Sequence, residues 1–434
     1  MKRAVVLCGG GSRGSYEIGA WKALRELEID YQIVVGNSIG ALNGALMVQQ
    51  DFEQACQLWE DLTIDQIIEN GINLSLHRIM SQKGDWKKFL KNYVGSKGAD
   101  ISPLIELINR VVSEDRIRRS DIDFGILSLS FPSLKPVEIT KSEMEPGMLK
   151  QHLLASASCF PAFPVCKING KNYIDGGTYD DLPIDLAVKM GADEIIAVDL
   201  HYNRPQHPNY QHVPFVKYLS PSHSLGPFLD FEPSRMRRNF QLGYHDTLKA
   251  YDQFYGFRYT FRKSDDYQEI SKKYVSLLAE FEARIPAESR LLKLSPPGQK
   301  LMFSHLRKHT GKHQLTYLDC FIRGGELCAE ITGLDPLPVY QIEGLQRLLL
   351  EKFQDPFPFH NSPFSESPRN YNGISRFYAA VRKQDKEYLL GCIYHKILNS
   401  KDIYQDLKWI AVFLPKELCA ALYLYTIFPD KNIL

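Results

Sequence analysis

The sequence predicts an α/β fold with a mainly parallel sheet, followed by a mostly helical C-terminal extension. Short apolar runs alternate with amphipathic segments over about the first 200 residues, and helix-type periodicity returns after about residue 235. Strands that alternate with helices form a sheet that is mainly parallel and covered by helices. At roughly 100–200 residues per domain, the 434 residues allow two or three domains.

The elements of the first part can be placed in order. AVVLC (4–8) is a short buried-type strand, and YEIGAWKALRELEI (16–29) is an amphipathic helix with Ile18, Trp21, Leu24 and Leu27 on one face. YQIVVG (31–36) is the second strand, and ALNGALMVQQ (41–50) begins the second helix. Later strands are predicted at FGILSLSF (124–131), PVEIT (136–140), the end of KNYIDGG (171–177) and EIIAVDL (194–200).

The pattern changes after Asp199. Two stretches rich in Pro, His and Ser have no periodicity and are predicted to be loops, HYNRPQHPNYQHVPF (201–215) and SPSHSLGPFLDFEPS (220–234). Helices are predicted from about Arg235 onward, including YQEISKKYVSLLAEFEARI (267–285). LSPPGQK (294–300) and DPFPFHNSPFSESPRN (355–370) interrupt them.

Composition and charge exclude several classes of function. Lys and Arg number 52 against 51 Asp and Glu, so nucleic acid is not expected as a partner. The eight cysteines are scattered without a CxxC pair, which argues against a metal site and indicates a reducing cytoplasm. The apolar run in MKRAVVLCGGG (1–11) is too short for a signal peptide. A second apolar stretch is WIAVFLPKELCAALYLYTIF (409–428). Pro415, Lys416 and Glu417 interrupt it, so it is predicted to be a buried helix or strand and not a membrane span.

The first of two glycine-rich turns, GGGSRG (9–14), follows the first strand and opens the first helix. Gly9, Gly11 and Gly14 match the dinucleotide pattern GxGxxG, but the second strand lacks the closing acidic residue that would bind a ribose. A purely structural turn is another alternative. Backbone N–H groups at a helix N-terminus also bind an oxyanion, and we expect Gly10 and Gly11 to supply them, with the charge of Arg13 in the same site.

The second turn, GNSIG (36–40), matches GxSxG between a predicted strand and a predicted helix. In this context the flanking Gly36 and Gly40 allow a strained elbow that exposes the hydroxyl of Ser38. The pattern therefore predicts that Ser38 is a nucleophile. The alternative is an ordinary serine at a helix N-cap.

A nucleophilic serine needs a base. An α/β-hydrolase would use a histidine, which the loops after residue 200 contain, yet Ser38 lies on the second strand, much earlier than in that fold. Asp175 is the other candidate, because it ends a strand before Gly176 and Gly177, and glycines let a carboxylate approach another backbone closely. Three nearby aspartates are interpreted as turn and helix-start residues: Asp180, Asp181 and Asp185.

In this order GGGSRG, GNSIG and IDGG resemble the patatin-like phospholipase family over about residues 4–200. The resemblance includes LLASASCFPAFPVCKINGKNYIDGG (153–177), and the helix at LGYHDTLKAY (242–251) is similar to the segment after the core in bacterial members. Asn37 stands where many members have threonine. The resemblance implies a three-layer α/β/α sandwich that hydrolyses lipid acyl esters without calcium or another cofactor.

The resemblance also implies roles for single residues. Ser38 and Asp175 would form a catalytic dyad without histidine, and Gly10 and Gly11 would bind the oxyanion with support from Arg13. In a dry cleft the pKa of Asp175 would rise above the ordinary value of about 4, which makes it a better acceptor of the serine proton. The motif glycines would be Gly9, Gly14, Gly36, Gly40, Gly176 and Gly177.

The expected organisation has three parts: a patatin-like catalytic domain at 1–200, loops and helices that complete or cover it at 201–260, and a mostly helical region without an assigned role at 261–434. The expected substrate is a phospholipid or another acyl ester. We expect a cytoplasmic protein that contacts the membrane surface transiently through the aromatic loops after residue 200, which otherwise pack on the core. Two alternatives stay open: an effector activated by a nucleotide or partner at the C-terminal region, and a non-catalytic interaction protein.

Overall fold

The computed structural model describes residues 1–69, 99–264, 266–284, 301–353, 381 and 383–429. The chain divides into two units, Met1–Ala250 and Tyr251–Leu434. Residues 251–260, which the sequence had grouped with the first part, belong to the second unit. The predicted interruptions at 294–300 and 355–370 lie outside the described residues.

A mixed sheet forms the centre of the first unit, and eight of its strands lie in the described residues. They are β1 (Arg3–Leu7), β2 (Ile33–Asn37), β3 (Asp123–Phe131), β4 (Pro136–Thr140), β5 (Cys166–Ile168), β6 (Lys171–Asp175), β7 (Glu194–Val198) and β8 (Val216–Leu219). The order is β5-β6-β3-β2-β1-β7-β8, with β4 beside β3. β3, β2, β1, β7 and β8 run parallel, whereas β4 and β6 run antiparallel to β3 and β5 runs antiparallel to β6.

Helices flank this sheet, as the alternating pattern predicted. They are α1 (Ser15–Glu26), α2 (Ile39–Val48), α3 (Phe52–Asp61), α4 (Ser102–Val111), α5 (Glu114–Arg119), α6 (Leu149–Ser156), α7 (Ile184–Lys189) and α8 (Pro233–Ala250). Short 3-10 turns occupy Gly11–Gly14, Ile64–Gln66 and Gly176–Thr178. The α/β fold class with a mainly parallel sheet is therefore confirmed.

One strand was missed by the sequence pattern. No element was predicted at residues 216–219, between the two predicted loops, but β8 occupies them and pairs in parallel with β7. β8 has only four residues, and two of them, Val216 and Leu219, are buried. The strand exists because β7 offers an edge for hydrogen bonding, and a run of four residues carries too little periodicity to indicate this.

α1 and α8 cross at two glycines. A methyl group on Gly19 would collide with the carbonyl oxygen of Phe240, and a methyl group on Gly243 would collide with that of Tyr16. The backbones of the two helices are therefore in direct contact. Beside the crossing, the buried Asp246 accepts hydrogen bonds from the Tyr16 hydroxyl at 3.2 Å and from the Ser222 N–H at 2.9 Å. α8 is thus an integral part of the first unit.

The second unit is mostly helical, as predicted. Its helices are α9 (Gln268–Arg284), α10 (Leu301–Arg307), α11 (Tyr317–Ile331), α12 (Ile342–Phe353), α13 (Lys386–Asn399), α14 (Ile403–Phe413) and α15 (Pro415–Ile427), and the two-residue strands β9 (Thr260–Phe261) and β10 (Val339–Tyr340) pair in parallel. The apolar stretch at 409–428 forms the end of α14 and all of α15, whose residues are largely buried. None of the described helices combines the length and the hydropathy needed to cross a bilayer.

A buried carboxylate organises the start of the second unit. Glu326 on α11 accepts hydrogen bonds on one oxygen from the N–H groups of Phe257, Arg258 and Tyr259, at 2.7, 2.8 and 3.0 Å. Its other oxygen lies 2.7 Å from Arg323, which is 1% exposed. Because a buried charge is stable only when it is paired and hydrogen-bonded, this cluster fixes residues 257–259 onto α11.

Replacing Gly243 with alanine is expected to lower the free energy of unfolding by about 1–3 kcal/mol, because the added methyl group forces α1 and α8 apart. The matched control is Gly344→Ala in α12, where a methyl group would meet nothing within 4 Å. The control should be neutral or stabilising by up to about 1 kcal/mol, the helix-propensity difference. Denaturant unfolding followed by circular dichroism measures both, and equal effects would contradict the packing at the crossing.

Candidate active site

Ser38 lies at the sharp turn between β2 and α2. Its φ of 53° and ψ of −124° fall in a region that non-glycine residues rarely adopt, so the backbone at this position is strained. A hydrogen bond from the Ser38 N–H to Oγ of Ser156, 2.8 Å long, holds the turn, and Ser156 in turn donates to the Leu127 carbonyl at 2.6 Å. This is the strained elbow that the GNSIG pattern predicted.

The register of the sheet brings Ser38 close to Asp175. Asn37, which precedes Ser38 on β2, lies opposite Leu127 on β3. Ser128, the next residue of β3, lies opposite Asp175 on β6. A single strand therefore separates the ends of β2 and β6, although Ser38 and Asp175 are far apart in the chain.

Asp175 is a buried carboxyl group, 8% exposed, at the end of β6. Its Oδ1 accepts a hydrogen bond from the Gly177 N–H at 2.7 Å and a longer one from the Asn37 amide at 3.4 Å. Burial raises the pKa of Asp175 above its ordinary value, and interactions with the Ser38 side chain, the Gly177 N–H and Asn37 partly offset this rise. Asp175 is therefore a stronger base than an exposed aspartate and lies beside the Ser38 side chain.

The glycine-rich turn at 9–14 lies next to Ser38: a methyl group on Gly9 would be 3.4 Å from the Ser38 Cβ. The Gly9 N–H donates to the Asp181 carbonyl oxygen at 2.8 Å, which joins this turn to the segment that follows Asp175. The N–H groups of Gly10 and Gly11 have no acceptor within the part of the chain that the structure describes. Both residues line the same cavity as Ser38 and Asp175. This end of the cavity can therefore bind an anionic oxygen.

The cavity has a volume of about 330 Å³ and runs from Ser38 along one face of α2. Ser38, Asp175 and the glycine turn form its polar end. The rest of its wall is mostly apolar and comes largely from α2, α3 and α4, including Ile39, Leu42, Leu46, Trp59, Leu107 and Val111. Its shape and lining suit a hydrocarbon chain whose polar end lies at Ser38.

Two hydrogen bonds of Gln49 hold the far part of this cavity together. The Gln49 side chain donates to the Val111 carbonyl at 2.9 Å and accepts from the Ser113 N–H at 3.0 Å. The C-terminal ends of α2 and α4 are thereby tied together next to Leu46. The wall formed by Leu46 and Val111 is fixed in place.

A second set of buried polar groups fixes the side wall. The Trp59 indole donates to Asn43 at 2.9 Å, and the Asn43 amide donates to Glu17 at 2.7 Å. Burial raises the pKa of Glu17 well above its ordinary value. No sequence pattern had indicated these residues, because Glu17 and Asn43 lie on helices that carry polar residues at many positions.

The aromatic segment near residue 230 lies against the cavity. Phe228, Leu229 and Phe231 contribute to its lining, and Phe231 is 9% exposed. Phe228 and Leu229 are half-buried, so part of each side chain is accessible to solvent. The segment that the sequence suggested for contact with a lipid surface is therefore also a wall of the cavity.

The structure does not place every predicted residue at the cavity. Gly9, Gly10, Gly11, Ser38, Asp175 and Gly177 line it. Arg13 lies outside the lining, and its Nε donates to the Gly226 carbonyl at 2.8 Å. The other motif glycines, Gly14, Gly36, Gly40 and Gly176, lie in the turns that carry these residues. Among the described residues, no histidine lines the cavity.

A cluster of Cys8, Asp199 and His201 lies behind the glycine turn, with donor atoms within 4.8 Å of one another. Such a set can hold a metal ion in principle. Arg204 already brings a positive charge to it, because its Nη1 lies 3.3 Å from His201 Nδ1 and 2.5 Å from Asp181. Since a guanidinium group and a metal ion would repel each other at this distance, the residues fit an ion-pair network better than a metal site.

Residues 5–188 match the family model of patatin-like phospholipases. Patatin-like phospholipase domain-containing protein 6 of Homo sapiens is 28% identical over 203 residues, which are 45% of this chain and 13% of that protein. Lysophospholipase NTE1 of Scheffersomyces stipitis is 28% identical over 204 residues, 45% of this chain and 11% of that protein. The chain thus spans only a small part of the length of the curated relatives it matches.

Two solved structures align with most of this chain at TM-scores below 0.5. VipD from Legionella pneumophila aligns with a TM-score of 0.40 at 13% identity, over 95% of this chain and 91% of that chain. The type III effector protein ExoU aligns with a TM-score of 0.31 at 14% identity, over 91% of this chain and 77% of that chain.

The raised pKa of Asp175 predicts a stability effect that depends on pH. Because the folded state binds the proton more tightly than the unfolded chain, the charged carboxylate destabilises the fold once the pH exceeds the folded pKa. Asp175→Asn should therefore raise the melting temperature at neutral pH, and the gain should shrink as the pH falls through that pKa. Thermal unfolding across the pH range tests this, with the exposed Asp121→Asn as control. A lower melting temperature for Asp175→Asn at neutral pH would contradict the desolvation of Asp175.

Proposed function

Because residues 5–188 carry a patatin-like phospholipase domain, we propose that this chain is a serine acyl-ester hydrolase that acts on phospholipids or other lipids. The main support is the cavity on which Ser38 and Asp175 meet the N–H groups of Gly10 and Gly11, which have no acceptor among the described residues. A non-catalytic interaction protein would have no need for this arrangement. The proposed reaction requires no metal or cofactor.

The first half of the reaction transfers the acyl group to Ser38. The Ser38 hydroxyl oxygen attacks the ester carbonyl carbon while its proton passes to Asp175, whose raised pKa favours the transfer. The carbonyl oxygen becomes an oxyanion, which the N–H groups of Gly10 and Gly11 stabilise. The carbon–oxygen bond to the alcohol then breaks, and Asp175 returns the proton to the leaving alcohol.

The second half releases the fatty acid. Water attacks the carbonyl carbon of the acyl-enzyme and gives a proton to Asp175, and the same two N–H groups stabilise the second oxyanion. Collapse of this intermediate breaks the bond to Ser38, which recovers the proton from Asp175. One carboxyl group serves as acceptor and donor in both halves, so no histidine is required.

The apolar part of the cavity is proposed to hold the acyl chain. From Ile39 to Leu46 the wall follows α2 over seven residue steps, about 10 Å at the helical rise. Burial of the chain there positions the ester next to Ser38. The protein is proposed to work in the cytoplasm and to contact the membrane surface transiently while it takes up its substrate.

Ser38→Ala and Asp175→Asn are each expected to lower kcat for an ester such as p-nitrophenyl butyrate by about 10³-fold or more, and the double variant should be about as inactive as either single variant. The matched control is Ser128→Ala, a buried serine beside Asp175 on β3 whose hydroxyl has no partner in the described residues. Near wild-type turnover by Asp175→Asn would contradict the dyad.

Histidine variants serve as the second control for the dyad. Single replacement of six histidines of the first unit by alanine should leave kcat largely intact, since none of the described histidines lines the cavity. A loss of about 10³-fold at one of them, in a protein that stays folded, would indicate a Ser–His–acid hydrolase instead. The residues are His152, His201, His207, His212, His223 and His245.

Leu46→Phe is expected to shorten the acyl chains that the enzyme accepts. The larger side chain fills the apolar part of the cavity, so kcat/KM for a palmitoyl ester should fall about tenfold or more while that for a butyryl ester changes little. Met47→Phe, the next residue on α2, is buried outside the cavity and provides the matched control. The two variants should have different chain-length profiles, and identical profiles would exclude this wall from the substrate site.

A further inference from the structure

Residues 224–231 form a segment, here named the strap, that lies between the glycine turn and α8. α8 binds one side of it: the Asn239 amide donates to the Leu225 carbonyl at 3.0 Å, and Arg238 donates to the Ser224 carbonyl at 3.0 Å. An ion pair of 2.6 Å joins Asp230 of the strap to Arg235. These contacts fix the strap to the first unit from the α8 side.

The glycine turn binds the strap from the other side. The Ser12 N–H donates to the Phe228 carbonyl at 2.7 Å, and the Ser12 hydroxyl donates to the Pro227 carbonyl at 3.2 Å. Gly11, which has a φ of 58°, packs directly on Phe228, since a methyl group there would collide with the Phe228 carbonyl oxygen. The turn that carries the proposed oxyanion donors is thus bonded to the wall of the cavity.

Arg13 completes this set of contacts. Its Nε donates to the Gly226 carbonyl at 2.8 Å, so three successive carbonyl groups of the strap accept hydrogen bonds from Ser12 and Arg13. Arg13 does not line the cavity. In the described part of the chain no carboxylate lies within ion-pair distance of its guanidinium group. The contact that the structure shows for this side chain is therefore with the strap.

We propose that Arg13 is a positioning residue that holds the strap in place through the Nε hydrogen bond to Gly226, so that Phe228 and Leu229 form a fixed wall for the acyl chain. The proposal rests on the proposed hydrolase function and refines it. Without the bond, the strap keeps its contacts with α8 and its two hydrogen bonds from Ser12 but loses the side-chain anchor at Gly226, and the wall formed by Phe228 and Leu229 becomes less firmly held against the acyl chain. A short acyl group makes fewer contacts with this wall than a long one, so it is affected less.

Side-chain geometry separates this role from an electrostatic one. Counted from Cα, the Nε of arginine and the Nε2 of glutamine are both the fourth atom, so Arg13→Gln keeps a donor at the same position and removes the charge. Lysine has a carbon atom at that position and keeps the charge farther out. Arg13→Met removes both the donor and the charge and has a side chain as long as that of glutamine.

The experiment compares Arg13→Gln, Arg13→Lys and Arg13→Met on p-nitrophenyl butyrate and palmitate. For palmitate, the glutamine variant should keep most of the wild-type kcat/KM, whereas the lysine and methionine variants should lose about fivefold or more, mainly through KM. For butyrate, the lysine and methionine variants should lose a smaller factor in kcat/KM than for palmitate. If charge at Arg13 stabilises the oxyanion instead, lysine will outperform glutamine and kcat will fall equally for both esters, which would overturn the proposal.

A readout without substrate distinguishes failure of this proposal from failure of the hydrolase assignment. Amide hydrogen exchange of residues 224–231 should become faster by about fivefold or more in the lysine and methionine variants and stay at the wild-type rate in the glutamine variant. Unchanged exchange in all three would overturn the anchor even if the protein hydrolyses esters. Conversely, a protein without Ser38-dependent hydrolysis would still show the exchange pattern if the anchor exists.

Discussion

The pairing register of three neighbouring strands determines where the site lies. Asn37 opposes Leu127 across β2 and β3, and Ser128 opposes Asp175 across β3 and β6. Because side chains alternate between the faces of a sheet, a shift of one residue in either ladder would turn Asp175 away from the elbow. β2 and most of β3 are buried on both faces, and the packing of their side chains sets this register, so core packing also determines where the proposed dyad lies.

The site also requires a compromise between stability and chemistry. A carboxyl group in an apolar cavity is a better base, yet the same burial opposes its charge. The Gly177 N–H and the Asn37 amide offset part of this cost without supplying a positive charge. Neutral amide donors stabilise the carboxylate only in part. A cation at hydrogen-bond distance would lower the pKa of Asp175 and with it the basicity that the proposed reaction depends on.

The sequence predicted the parts of the site that depend on local pattern. A strand, a GxSxG turn and a helix predict Ser38 as the candidate nucleophile because the strained elbow is built within five residues, and Asp175 is predicted as the candidate base from its position before two glycines. Contacts between distant segments left no such signal. β8 exists because β7 offers a partner, Gln49 ties α2 to Val111, and Arg13, expected beside the oxyanion, binds a carbonyl group 213 residues away. Each of these contacts depends on packing between distant segments, which the residue pattern of a short stretch of sequence does not reveal.

The ion-pair network behind the glycine turn has an electrostatic consequence. Asp181 and Asp199 are two carboxylates near the peptide groups that are proposed to bind the oxyanion, and their negative potential would oppose the charge that develops there. Arg204, 2.5 Å from Asp181 and 3.8 Å from Asp199, brings one positive charge against these two negative charges and so weakens the field at its source. The dipoles of Gly10 and Gly11 then act against a weaker opposing field, so two uncharged amides can stabilise the proposed oxyanion without a cation inside the apolar cavity.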